Sequence, residues 1–507
     1  MISRRSLLLS GAAIAAFAGS ASLSFAAPSD GVLTIAMIGE PPTLDIMQTT
    51  TDLVITIDQH IFETLYTYDS EWNTAPLLAS DAPQIADDGL TYTIPLRSGV
   101  KFHDGATMTP EDVVASLERW MALSTKGKQV AELVTSLTAT DGAVVIVLNK
   151  RYAPLIPTLT YGAVVMPKAK LAETLVEFVG TGPYAFKERK PDQYIQLVRF
   201  DDYASPEGDS SNYAGKREAI AREILFVPVP DANTRLEGLL SGQFDFADAL
   251  PTSAYGRIED NDRAAPVIYK NAAWMSMNVN LKEGLLTNKT LRHAMQLALN
   301  PSDMMMAAFD EEKFYGVDGS IYPEGFVWHT ETGVARYGEA DTEGAMKLLK
   351  EAGYDGTPLR ILTSRQYEFH YKAAEVAKAY LEAAGFKTDL QVVDWATLTS
   401  RRGDASLWDI FITHSNFPGD PTMLNLVSDA YPGWYVSEQK TKAVNAYLDA
   451  TTQGDKEAAW GAIQAAVYDD VPLYKVGSFN ALSGLSKQVS GYTPAYWPFF
   501  WNVTPKE

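Results

Sequence analysis

A chain of 507 residues, 46% of them hydrophobic, is too long for one core, so two or more domains are expected. Its formal net charge of −21 excludes a nucleic-acid role, because phosphates require a basic face, and it disfavours an anionic membrane surface for the same reason. The absence of cysteine excludes disulfides, thiolate nucleophiles, cysteine-based metal sites and a lipid anchor on an N-terminal cysteine.

Residues 1–26 read as an export signal. Ser3-Arg4-Arg5 precede the uncharged run Ser6–Phe25, and the small residues Ser24 and Ala26 define a cleavage site before Ala27. The arginine pair, followed by Ser6 and Leu7–Leu9, is similar to a twin-arginine signal, although no lysine follows the leucines. An N-terminal membrane anchor is the alternative, and the alanine, glycine and serine content suits it poorly. No later segment is expected to span a bilayer.

Beyond residue 27 the first half alternates short strands and turns. In Lys101–Trp120, His103-Asp104-Gly105 is turn chemistry, Thr109 is an N-cap, Pro110 takes the first helical position and Asp112 follows the cap by three residues. Val113, Leu117, Trp120 and Met121 then form one apolar stripe, which predicts a docked helix and makes His103 a structural residue. Ala143–Asn149, Tyr194–Phe200 and Glu223–Val229 read as strands from their β-branched and aromatic content. The glycine-rich Gly180–Ala185 fits a loose dinucleotide pattern, but Pro183 removes an N–H and a strand-like segment follows, so no phosphate site is expected.

From Asp341 the pattern changes. Asp341 caps a helix closed by Gly353; a strand Leu359–Thr363, a helix His370–Ala384 ended by Gly385, and strands Thr388–Val393 and Trp408–Thr413 follow. That order predicts βαβ units and a parallel sheet. There is no P-loop, nucleophile elbow or H-E-x-x-H, and the six histidines never pair at metal-ligand spacing. Carboxylates are too abundant for any pair to be promoted to a glycosidase dyad. No catalytic residue, metal site or cofactor is expected.

Several segments carry a family resemblance in a fixed order. PPTLDI (Pro41–Ile46), IFETLYTYD (Ile61–Asp69), Lys101–Trp120 with LRSGV before it, GTGPYAF (Gly180–Phe186), SGQFD (Ser241–Asp245), TLRHAMQLALN (Thr290–Asn300) and EAGYDG (Glu351–Gly356) together resemble the family 5 solute-binding proteins of ABC importers. That family includes dipeptide- and oligopeptide-binding proteins. The resemblance implies an α/β, two-lobe periplasmic-binding-protein fold with a hinge. Lobe I would span 27–271, enlarged by an α+β subdomain at 63–181; lobe II would span 272–479, and 480–507 would return to lobe I. It further implies a periplasmic monomer that captures a small molecule or short peptide by hinge closure and delivers it to an inner-membrane ABC permease, with no bond made or broken.

In a parallel sheet, residues just past the carboxyl ends of the strands face the crevice. Three such places are expected to converge: Arg365 and Tyr367, then Asp394 and Trp395, then residues 414–421 with His414, Asn416, Phe417 and Asp420. Ser364–Tyr367 resembles the segment with which dipeptide-binding proteins hold a peptide carboxylate; an arginine fork there would be worth about 2–5 kcal/mol if buried. A surface or interlobe salt bridge is the competing role for Arg365. Asp420-Pro421 matches the pair that follows the amine-binding aspartate of peptide binders, yet the resemblance places that aspartate where this sequence has Phe417. Either Asp420 takes the role, or the ligand has no free amine there, or Asp420 is a turn residue beside Gly419. Trp274, Trp395 and Tyr367 would supply flat walls, with core packing equally open to Trp274. A short peptide leads; an opine, an oligosaccharide or a metal chelate stays open because of Phe417. A secreted hydrolase is the alternative of another class.

Overall fold

The computed structural model describes residues 31–506 except Pro42, Thr50, Gln366 and Asp394, and describes Trp395, Ala396 and Thr399 by backbone alone. The export-signal segment, and with it the expected cleavage site, lies outside the described residues.

One large sheet organises the molecule. Its strands run in the order Thr388–Val393, Leu359–Ser364, Ile410–Ser415, Ala264–Val279, Leu473–Ser486, Phe246–Leu250, Val32–Met37, Glu223–Pro228, Tyr194–Arg199 and Tyr184–Lys190. At one end Leu359–Ser364 pairs in parallel with both Thr388–Val393 and Ile410–Ser415, the predicted βαβ arrangement. The helix between them runs Glu368–Ala383 and stops before Gly385, whose φ of 98° suits glycine. The third strand begins at Ile410, two residues later than expected. Asp409 is fixed in the preceding turn by Arg360, whose Nε lies 2.9 Å from Oδ2, and Trp408 donates from Nε1 to the Arg402 carbonyl. At the other end Val32–Met37 pairs in parallel with Glu223–Pro228 and Phe246–Leu250 and is buried along its whole length.

Two long antiparallel strands, Ala264–Val279 and Leu473–Ser486, join the ends. Their pairing breaks between Tyr269 and Ala273, where Asn271 adopts a φ of 53°, a conformation asparagine tolerates better than most residues, and donates its backbone N–H to Asn480 Oδ1 at 2.8 Å.

A separate antiparallel sheet, Gln84–Ile85, Thr91–Pro95, Ala143–Leu148 and Val134–Thr140, forms with the helix Pro110–Leu123 an α+β unit attached to the first lobe. That helix starts as its sequence predicts: Thr109 Oγ1 accepts from the Asp112 amide at 3.3 Å, and Asp112 Oδ2 accepts from the Thr109 amide at 2.9 Å. Val113, Leu117 and Trp120 are buried, and Met121 is half-buried.

His103 clamps the glycine-rich loop. Its Nδ1 accepts from the Gly180 amide at 3.2 Å, and its Nε2 lies 2.9 Å from the Gly182 carbonyl oxygen, so the neutral Nε2–H form satisfies both. Burial holds the ring neutral, with its pKa pushed down to about 4. Gly180 and Gly182 are needed for close approach: a Cβ would lie 2.0 Å from the Ile61 carbonyl oxygen or 2.4 Å from that of His60. The loop leads into the strand Tyr184–Lys190.

The C-terminal residues pack against the N-terminal part of the chain, where the Phe500 amide donates to His60 Nε2 at 2.9 Å and Phe500 and Trp501 are buried.

Candidate functional site

Where the long strands break, residues from both halves of the sheet enclose a cavity of about 380 Å³. Its lobe I wall comes from the Asp52–Asp58 helix, from Tyr68, Trp72 and Tyr161, and from Tyr496 and Trp497 of the returning tail. Tyr269, Asn271 and Ala272 form its floor, and Asn416–Gly419, Met423 and Asn425 close it from lobe II. The rings support one another: Tyr161 stacks on Trp497 at 5.8 Å and 10°, and Tyr269 meets Tyr496 edge-on at 6.1 Å. Among the described lining residues the only charged side chain is Asp52. Its Oδ1 accepts from Trp497 Nε1 at 2.8 Å and its Oδ2 from the Tyr496 hydroxyl at 3.3 Å. Burial raises the Asp52 pKa, and these two donors oppose the rise.

The lobe II wall is held from behind. The Tyr322 hydroxyl donates to the Pro418 carbonyl at 2.6 Å, Trp328 Nε1 donates to that of Gly419 at 2.7 Å, and Phe417 packs on Phe326 at 5.1 Å between ring centres. Gly419 faces lobe I so closely that a Cβ would lie 2.2 Å from Tyr68 Cε1. Trp72 also stacks across the cleft on Phe326, at 6.2 Å and 16°. Beyond Trp72 and Gly419, which border both spaces, a second cavity of about 590 Å³ lies between the α+β unit and lobe II, with Arg151, Asp420 and Lys456 in its walls.

Of the residues expected at the site, Asn416 and Phe417 line the hinge cavity. Asp420 lines the second cavity, and its side chain is committed locally: Oδ1 accepts from the Thr422 amide at 2.9 Å and Oδ2 from the Tyr447 hydroxyl at 2.9 Å. Tyr367 and His414 meet each other, 4.9 Å apart and edge-on, and His414 Nδ1 lies 3.1 Å from His370 Nε2. Burial lowers both imidazole pKa values, that of His414 to about 4. Arg365 is exposed, with its guanidinium 4.0 Å above the Tyr371 ring, and it is not among the residues lining either cavity. Trp274 is buried at 3% exposure between Ser415 and Ser478 on the neighbouring strands, and its Nε1 has no hydrogen-bond partner among the described residues. The side chain of Trp395 lies outside the described residues, as does Asp394.

Sequence reasoning missed the lobe I wall. Asp52 resembles any acidic residue in the first turn of a helix, and Tyr496-Trp497 belongs to an aromatic tail that reads as packing. The available signal was Trp72, an aromatic residue set among the turn-forming residues Asp69, Ser70 and Asn73.

Behind the Tyr161–Trp497 wall a smaller cavity of about 60 Å³ shares Ile55, Tyr68, Tyr161 and Trp497 with the hinge cavity. It reaches Asp58, which is buried, and neither of whose carboxyl oxygens has a hydrogen-bond partner among the described residues. Desolvation raises the Asp58 pKa well above its ordinary value and the neighbouring Asp45 raises it further, outweighing the lowering by the backbone N–H of Ile46.

Two lobes joined by paired strands around a hinge cavity define a two-lobe solute-binding protein. The sequence matches the bacterial extracellular solute-binding proteins, family 5 middle, over residues 73–434, and the chain belongs to that family. It is 25% identical to a probable peptide ABC transporter periplasmic-binding protein of Sinorhizobium fredii, with 99% of each chain covered. Among solved structures it is similar to the ABC transporter substrate-binding protein CtaP of Listeria monocytogenes, with a TM-score of 0.80, 22% identity, and 95% of this chain and 100% of that one covered. It is also similar to the periplasmic binding protein DppA of Helicobacter pylori in complex with the peptide STSA, with a TM-score of 0.75, 21% identity, and coverage of 94% and 98%.

Proposed function

We propose that this protein is the periplasmic component of an ABC importer that captures a short peptide in the hinge cavity and hands it to an inner-membrane permease. The single observation that carries this reading is the cavity of about 380 Å³ walled by both lobes at the strand break, a size within the range of small-ligand sites. The relative in S. fredii and the peptide complex of DppA support a peptide as the solute. Lobe I takes 27–271, lobe II 272–479 and the tail 480–507, with the hinge at Asn271 and Asn480, so rotation there opens and closes the cavity. A solute touching both walls is bound fully only when they meet, so it shifts the population toward the closed shape that the permease reads. Asn416 and Phe417 touch the solute, Asp420 fixes the turn behind them, and Arg365 stands at the strand end, available to a carboxylate on closure. No bond of the solute is made or broken, and export by the segment 1–26 delivers the protein to the periplasm as a monomer.

Native mass spectrometry of the purified protein, before and after unfolding to strip bound solute, tests this. A released mass that fragments as a short peptide is the expected result. A released opine, sugar or metal chelate would replace the peptide, and turnover of added peptide by the purified protein would overturn the carrier role.

A further inference from the structure

Resting on the hinge cavity as the solute site, we infer that the solute presents a positively charged nitrogen, in a short peptide its free α-ammonium group, and that Asp52 of lobe I is the counter-ion. Asp52 is the only charged side chain among the described lining residues. A carboxylate has about four acceptor positions, and the bonds from Trp497 Nε1 and the Tyr496 hydroxyl use two of them while fixing its orientation. Asp52 is exposed to the cleft, so in the empty site water meets its remaining capacity, and a bound ammonium takes that water's place. Around it, Trp72, Tyr161, Tyr269 and Trp497 line the space with aromatic surface, which suits a cation better than an anion. An anionic group entering this lining would lose its water without meeting a cationic partner, at a cost an ammonium beside Asp52 avoids.

Lobe II lacks this charge. Phe417 stands where the family resemblance places an amine-binding aspartate, and it is buried against Tyr322 and Phe326. Asp420 is occupied by Thr422 and Tyr447. The carboxylate is therefore supplied from the opposite side of the cleft, so that an ammonium seated against Phe417 ties lobe II to lobe I.

The test compares a synthetic tripeptide mixture built from Gly, Ala, Leu and Phe with the same mixture N-acetylated, using isothermal titration on the mature protein stripped of solute. Free-amine peptides are expected to bind about 10- to 100-fold more tightly than their acetylated forms, the worth of one charge-assisted hydrogen bond. Asp52→Asn should abolish that preference, and Asp52→Glu should restore part of it. Equal binding of both mixtures overturns the role of Asp52 and leaves the peptide reading standing. Binding of the non-peptide amines putrescine or agmatine, lost in Asp52→Asn, with no binding of either mixture, upholds the counter-ion and overturns the peptide. No binding of any cationic probe overturns both. The acetylation comparison uses the unaltered protein, so it decides the matter even if a variant misfolds.

Discussion

Lobe I treats its carboxyl groups in two ways, and the contrast separates scaffold from site. Asp45 and Glu63, buried away from the cleft, have both oxygens engaged. Asp45 accepts from Arg119 at 3.1 and 2.5 Å and from Gln48 at 2.8 Å, and Glu63 accepts from Thr181 at 2.8 Å, Tyr203 at 2.7 Å and Arg217 at 3.3 Å. Facing the cleft, Asp52 keeps spare acceptor capacity, and behind it neither oxygen of Asp58 has a hydrogen-bond partner among the described residues. A buried charge kept for structure is fully paired because each missing bond costs stability. A group with capacity left over is held there by the rest of the fold and is ready for something else.

The scaffold half of this comparison is broken most directly at the glycine-rich loop. Gly180→Ala puts a Cβ 2.0 Å from a backbone oxygen that cannot move aside, and His103 holds the loop from the other face. The expected loss is about 3 kcal/mol or more, read as lost soluble yield or a collapsed denaturation midpoint. Glu63→Ala comes close behind. It strands Arg217 beneath the Trp501 ring, 4.4 Å from its centre, and should cost about 3–5 kcal/mol in urea unfolding. An unchanged midpoint would mean that full pairing is not what marks the scaffold.

Asp58→Asn should have the opposite sign. Because the folded-state pKa is raised above its ordinary value of 3.8, the native state holds this proton more tightly than the unfolded chain, and stability is lost as pH climbs toward the raised value. The variant carries no such loss. It should gain about 1–3 kcal/mol at neutral pH, and the gain should vanish below about pH 4. His60 and His103, with pKa values pushed down to about 3 and about 4, act the other way and cost stability as pH falls below 6.5. Subtracting the wild-type profile removes them.

At the cleft itself, Gly419→Ala would wedge a methyl group against Tyr68, 2.2 Å from Cε1, between the closing walls. Tyr68 can yield in part. We expect affinity for free-amine peptides to fall about tenfold, or about 1.4 kcal/mol, with the unfolding midpoint unchanged. Undiminished affinity would place the closing contact elsewhere.

How much was legible follows the same division. The capped helix at Thr109, the strand–helix–strand run from Leu359 and the strand that follows the glycine-rich loop all rest on signals a few residues long. The structure reproduces each within one or two residues. The cavity does not work that way. Asp52 and Trp497 bond across 445 residues of sequence, and Tyr269 joins them only because two long strands break their pairing at one place. No periodicity or capping rule connects such residues. Of the strand-end candidates, Asn416 and Phe417, just past the strand Ile410–Ser415, sit in the cavity wall, while Tyr367, at the start of the helix Glu368–Ala383, packs on His414 within that strand.

Arg365 offers the smallest effect and the finest discrimination between the two kinds of region. A guanidinium buried against a solute carboxylate would be fully paired, like Arg119, and its loss would cost about 2–5 kcal/mol of affinity. Here the guanidinium is exposed above the Tyr371 ring, where water screens any charge partner. Arg365→Ala should therefore weaken peptide binding by about 0.2–1 kcal/mol, and added salt should shrink the difference further. A salt-insensitive loss in the upper range would mean that closure carries Arg365 from solvent into the dry part of the cleft. The solute would then be held by charge at both ends, with Asp52 on its nitrogen and Arg365 on its carboxylate, and the strand-end arginine would join Asp52 as a group whose capacity the fold reserves for a ligand.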